Sequence, residues 1–311
     1  MIKLFSPKQK ILTADAGLPP SVNTTIRNLY ALALLMPFPP SSTDPRILLS
    51  DWSHFQGDVD IGKHLAYGPP KFQGTIIRSG QGKNASYDDT QFRASVQKCE
   101  ANGFPWMGYH VLIPLQNTDE QIDHVCYLYD GLEPRWIWWD VQVHNNQTKR
   151  HISNATIRAV ERTKVLTSIE TGVYSAQWFT KGFMEIQDWF SEIIWWIAQW
   201  LWPDQRKEHP WPTALPETVD ISQVMIHQTT SWGDGRLVGM ESQRLDLNRW
   251  MWTKQQFNEI MGTIIPPPLP DDHIELWEAI RRLGDNATID RAQLEHLIQW
   301  AKVLQIAYIE A

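Results

Sequence analysis

Eight short apolar runs, alternating with amphipathic stretches, fill residues 46–262 and restrict the fold more than any other feature of the chain. They are Ile47–Asp51, Thr75–Arg78, Gly108–Val111, Ile137–Val141, Gly172–Tyr174, Ile194–Gln199, Val224–Gln228 and Leu245–Leu247. Short, mostly apolar runs of three to six residues separated by helical patterns are the mark of a largely parallel sheet wrapped by helices. The expected class is therefore α/β, and eight strands suit a barrel. In such barrels the carboxyl ends of the strands form the mouth that carries the site.

The flanks have a different character. Residues 1–45 hold one apolar helix candidate, Leu29–Met36, between stretches containing Pro19, Pro20, Pro37, Pro39, Pro40 and Pro45. That helix is too short to span a bilayer, and the opening MIKLFSPKQK lacks the apolar run of an export signal. Residues 263–270 include Ile265-Pro-Pro-Pro-Leu-Pro270, a stiff polyproline linker. Residues 271–311 read as a helical hairpin, with Leu276, Trp277, Ile280 and Leu283 on one helix face and Leu294, Leu297, Ile298, Ala301 and Leu304 on the next. Both flanks suit attachment to a protein partner.

Composition excludes several classes. A formal charge of −7 gives no basic face for nucleic acid and no pull toward anionic polymers. Cys99 and Cys126 fall in helical stretches and make no disulfide framework, so free thiols are expected. No Cys/His spacing suggests a metal, and no glycine loop suggests a phosphate cofactor. Five Asn-x-Ser/Thr sequons, at Asn23, Asn84, Asn146, Asn154 and Asn286, matter only in a eukaryotic secretory route. The 17 Trp are unusual, because a broad apolar face with one N–H donor suits stacking on sugar rings as well as core packing.

Three aspartates, Asp51, Asp140 and Asp246, each follow an apolar run, in the first, fourth and last strands. Ionised Asp is seldom buried without a partner, so three at strand termini predict a polar mouth on an apolar barrel. Strand alternation also sets Asp140 and Gln142 on one face, with Trp138 beside them and Trp139 turned to the helix layer.

In order along the chain, several short motifs resemble glycoside hydrolase family 25, the Chalaropsis-type lysozymes or N-acetylmuramidases. They are Asp51-Trp-Ser53-His-Phe-Gln56-Gly57, Ile77-Arg78-Ser-Gly80, Asp89 with Phe92, Gly108-Tyr109-His110, Trp138-Trp139-Asp140-Val141-Gln142, Tyr174, Trp196-Ile-Ala198-Gln199-Trp200, Gln228-Thr-Thr-Ser231 and Asp246-Leu-Asn248. The ordered set covers about 210 residues, and no one motif carries it alone. The resemblance implies a modified (β/α)8-type barrel that binds peptidoglycan glycan strands and hydrolyses the MurNAc–GlcNAc β-1,4 bond, with no cofactor. It implies catalytic positions at Asp51, Asp140, Gln142 and Asp246. It implies substrate contacts at Trp52, Arg78, Tyr109, His110, Trp138, Tyr174, Gln199, Gln228 and Asn248, and Trp200 is a further stacking candidate. Such a protein is expected to act outside a cell or from a virion, or after release by lysis.

The resemblance also implies a difficulty. In the family the second acidic residue of Asp-x-Glu is the general acid, and this chain has Gln142 there. A carboxamide keeps the shape and hydrogen bonding of Glu but has no proton to give near neutral pH. General acid catalysis contributes roughly 10²–10⁴-fold. The family's Trp-Gln-Tyr is likewise His227-Gln228-Thr229 here. Of possible substitutes, Glu170 precedes a strand and belongs at the far end, Glu241 lies in the loop before Asp246, and Asp140 itself would be protonated if desolvated. Two readings stay open: a weakened or inactive muramidase, and a non-catalytic glycan-binding or virion structural module.

Overall fold

The computed structural model describes residues 40–262, except residue 42 and residues 202–206. The N-terminal helix candidate, the linker and the C-terminal hairpin lie outside the described residues. Within them, eight strands close into a barrel in sequence order. These are β1 (Leu48–Trp52), β2 (Phe72–Gln81), β3 (Trp106–Val111), β4 (Ile137–Asp140), β5 (Thr171–Ser175), β6 (Trp195–Ala198), β7 (Val224–Gly233) and β8 (Leu245–Trp250). Each of the eight apolar runs coincides with one strand. The helices are α1 (Ile61–Ala66), α2 (Phe92–Ala101), α3 (Thr118–Tyr129), α4 (Lys149–Thr167), α5 (Gln177–Phe183) and α6 (Lys254–Met261). Cys99 in α2 and Cys126 in α3 are free thiols.

From β1 to β7 every neighbouring pair is parallel, while β8 runs antiparallel to both β7 and β1. This reversal corrects one detail of the sequence reading. Asp246 does not end its strand; it is the second residue of β8. Because β8 is reversed, its start meets the carboxyl ends of the other strands, and Asp246 becomes the direct cross-strand partner of Asp51.

Strand alternation sorts the side chains into two layers. The inner one packs Leu49, Ile76, Met107, Trp138, Trp196, Met225 and Trp250 inside the barrel, together with Phe257 and Met261 of α6. Gly172 makes room for this filling, since a Cβ there would stand 2.6 Å from the Trp138 ring. The outer layer lies between strands and helices and includes Trp52, Phe104, Trp139, Phe179 and Trp195. Outside β8 a polar layer forms instead. The fully buried Arg249 donates to Glu208 at 2.7 Å and to the carbonyls of Ser41 (2.9 Å) and Arg46 (3.0 Å). A buried charge is tolerated only when paired and hydrogen-bonded in this way.

Candidate active site

A cavity of about 400 Å³ opens at the carboxyl ends of β1–β7. Asp51, Asp140, Gln142 and Asp246 line it together, with Arg78, Tyr109, Tyr174, Trp196 and Gln228. Each strand delivers its residue because the inward positions alternate along it: Leu49 then Asp51, Ile76 then Arg78, Met107 then Tyr109, Trp138 then Asp140. The apolar member fills the barrel and the next inward residue reaches the mouth.

The Asp51 side is a closed hydrogen-bond network. Asn248 donates to Asp51 Oδ2 at 2.8 Å, and Gln228 Nε2 donates to Asp51 (3.1 Å) and to Asp246 (3.2 Å). The Gln228 carbonyl in turn accepts from Tyr174 OH at 2.7 Å and Trp200 Nε1 at 3.2 Å. Trp196 Nε1 orients Asn248 through its Oδ1 at 2.8 Å.

Burial dominates the electrostatics. It pushes the Asp51 carboxyl up to about 7, against the opposing donation from Asn248 and Gln228. Asp246 is raised well above the usual carboxylate range, by burial first and then by the Asp51 charge. Asp51 has two amide donors and Asp246 one, so Asp51 is the member of this pair that ionises first. Burial also lifts Asp140 to about 7, with Arg78 pulling it down and Asp51 pushing it up. Tyr109 and Tyr174 are raised by burial and neighbouring carboxylates, so their phenols stay protonated donors.

The Asp140 side is not closed. Asp140 Oδ1 and Arg78 Nε are buried with no hydrogen-bond partner among the described residues. Gln142 lines the cavity from the segment just past β4, two residues beyond Asp140. No Glu among the described residues lines the cavity. Glu170 instead pairs with Lys164 (2.7 Å) just ahead of β5, at the far end, and Glu241 is exposed and packs over Gly57.

Three expected contacts are corrected. Trp52 is buried in the outer layer, where its indole N–H donates to Ser50 Oγ at 2.8 Å and its ring stacks on Phe104. His110 is also turned outward, bonded to Ser79 Oγ (2.9 Å) and the Gly82 carbonyl (2.8 Å), and burial drives its pKa down to about 3. Gln199 holds the following loop through Thr213, Ala214 and His209 rather than facing the cavity. Trp138 and Asn248 lie beneath the cavity and support it. Sequence reasoning missed Phe55, Gln56, Ser231, Ser242 and Arg244, all of which line the mouth from loops or from a strand extension. Phe55, Gln56 and Ser231 sat within quoted motifs, whereas Ser242 and Arg244 carried no signal.

The model of glycosyl hydrolases family 25 matches residues 50–234, more than half of the sequence. The chain belongs to glycosyl hydrolase family 25. Asp51, Asp140 and Gln142 fall inside the matched span, whereas Asp246 and Asn248 lie beyond it. Among solved structures, the catalytic domain of endolysin ply40 from bacteriophage P40 of Listeria monocytogenes is similar at 18% identity, over 70% of this chain and 98% of that one, with a TM-score of 0.55. A bacterial lysozyme from Streptomyces coelicolor shares 18% identity over the same 70%, covering 98% of its own chain, at a TM-score of 0.56. A muramidase from Acremonium alcalophilum shares 16% over 70% and 99%, at 0.55. At these identities the likeness is one of fold. No curated protein sequence matches the chain.

Proposed function

We propose that this family 25 protein grips the MurNAc–GlcNAc glycan of peptidoglycan in the Asp-lined cavity, and that hydrolysis is weakened or lost because Gln142 occupies the proton donor's place. The observation that carries this reading is the composition of the cavity wall: three carboxyls, two phenols and two indoles stand with three amides, Gln142 among them, and no Glu of the described residues joins them. Cleaving a glycosidic bond requires an acid at the departing oxygen and negative charge or a nucleophile at the anomeric carbon. Asp51, ionising first and held by two amides, supplies the charge. Gln142 supplies a hydrogen bond to the glycosidic oxygen but no proton.

A slow residual route runs through Asp140, whose carboxyl near 7 keeps part of its proton at neutral pH and has an uncommitted oxygen. The non-catalytic alternative, a wall-binding or virion module, draws on Gln142 itself. Release by lysis or action from a virion fits a phage endolysin's having the same fold. No described helix is long and apolar enough to cross a membrane.

A turbidity assay on purified bacterial walls, run beside a sedimentation pull-down with the same walls, tests the reading. The expected result is clear binding with lysis at or near background. Vigorous lysis by the unmodified chain would overturn the assigned role of Gln142, and absence of binding would overturn the glycan cavity.

A further inference from the structure

Two arginines line the cavity, and they stand in different electrostatic circumstances. Arg78 is half-buried; its charge acts on Asp140, and its Nη2 donates to Gln81 Oε1 at 2.9 Å. Arg244 is exposed on the turn that enters β8, and no carboxylate or hydrogen-bond acceptor among the described residues takes its guanidinium N–H groups. Instead its guanidinium carbon lies 3.6 Å from the centre of the Trp232 ring. The β7–β8 register sets Gly233 opposite Leu245, so Trp232 and Arg244, the residue before each, lie diagonally across the strand pair, within reach of two long side chains. Gln56 holds the backbone of the same turn by donating to the Arg244 carbonyl at 3.4 Å.

A guanidinium held over an indole face gains cation–π attraction and keeps its N–H edge available to other acceptors. A planar bidentate acceptor such as a carboxylate fits that edge best. The setting makes the choice of ligand sharper. The chain carries a net charge of −7, and the cavity floor holds Asp51, Asp140 and Asp246. An acidic ligand group is therefore repelled by the floor carboxylates and drawn to Arg244, which no carboxylate among the described residues pairs.

We propose that Arg244, held on Trp232, is a specificity residue that binds a carboxylate carried by the muramic side chain of the glycan, and so selects acidic over neutral glycan. The proposal rests on the reading of the cavity as a peptidoglycan site. The carboxylate has two sources: the lactyl group where the peptide is absent, and the peptide substituent where it is present.

Calorimetric titration with the disaccharide GlcNAc–MurNAc in three forms tests this. One form has a free lactyl carboxylate, one has a short peptide with its carboxylates free, and one has the same peptide with every carboxylate converted to carboxamide. The intact protein is expected to bind a carboxylate form about tenfold more tightly than the amidated one, a charge-assisted hydrogen bond being worth at least that. Whichever carboxylate form shows the preference identifies the source. The preference should fall with added salt, vanish in Arg244→Ala, and persist in part in Arg244→Lys. Equal binding of all three forms, or a preference that survives Arg244→Ala, overturns the assignment of Arg244 alone. Binding of none of them overturns the glycan reading and this assignment with it.

Discussion

The two sides of the cavity are built on opposite plans. Around Asp51 and Asp246 each carboxylate, amide and indole already has a partner, and Gln228 alone joins Asp51, Asp246, Tyr174 and Trp200. Around Asp140 the chain leaves Asp140 Oδ1 and Arg78 Nε unpaired among the described residues, although both atoms are buried. An unpaired buried polar group costs roughly 1–3 kcal/mol. One side is thus internally satisfied before any ligand arrives, and the other has polar atoms that a ligand would satisfy. Interactions made only with the reacting partner are those that accelerate a reaction, so on the proposed reading the open side is where a proton donor would act.

That contrast can be broken from either side. The largest effect is expected from Gln142→Glu, which returns a titratable group to the open side, beside Asp140 and under partial burial that keeps it protonated. Wall lysis should rise by about 10²-fold or more. A folded variant with no gain would mean that the open side serves binding only. Next in size, Gln228→Ala would strip donors from both Asp51 and Asp246 and leave two partners unpaired. We expect a loss of about 3 kcal/mol in denaturant unfolding at neutral pH. A loss under about 1 kcal/mol would show that the closed network is not internally satisfied in the sense argued.

A comparable effect, with a definite sign, attaches to Asp140→Asn. Burial raises this carboxyl from the ordinary range to about 7. Between pH 4 and 7 the folded protein keeps a proton that the unfolded chain has released. Folding is favoured at the acid end of that window, and the contribution is lost as pH rises through about 7. The Asn variant should therefore be more stable than the parent by about 4 kcal/mol at pH 8 and nearly equal to it at pH 4. Melting curves at the two pH values check this, and an unchanged difference would place the burial cost on the Asp51 pair instead. Smallest of all, Gln142→Ala should move stability by no more than about 0.5 kcal/mol, because its side chain makes no hydrogen bond to lose among the described residues.

Much of this arrangement was legible before any coordinates. The eight strands announced themselves because each buried strand needs a run of apolar residues, and the aspartates at their ends stood out against that background. The misplaced residues share one cause. Trp52 follows Asp51, His110 follows Tyr109, and Gln199 follows Ala198, and in each case a one-residue step along a strand turns the side chain to the other face. The motifs kept these neighbours together, whereas the pleat separates them. Arg244 stayed hidden for another reason: it lies in a turn, where no periodicity applies, and only the reversal of β8 brings that turn to the mouth.

That reversal has a topological consequence as well. A closing strand that runs the other way returns the chain to the floor, where Phe257 and Met261 of α6 plug the barrel among Leu49, Met107 and Trp250. The barrel is thus a cup and not a tube. A polymer that engages the aspartates cannot be threaded through it; it has to lie across the rim, with both of its ends leaving by the same side. Attack anywhere along a strand is geometrically as open to such a cup as attack at a chain end.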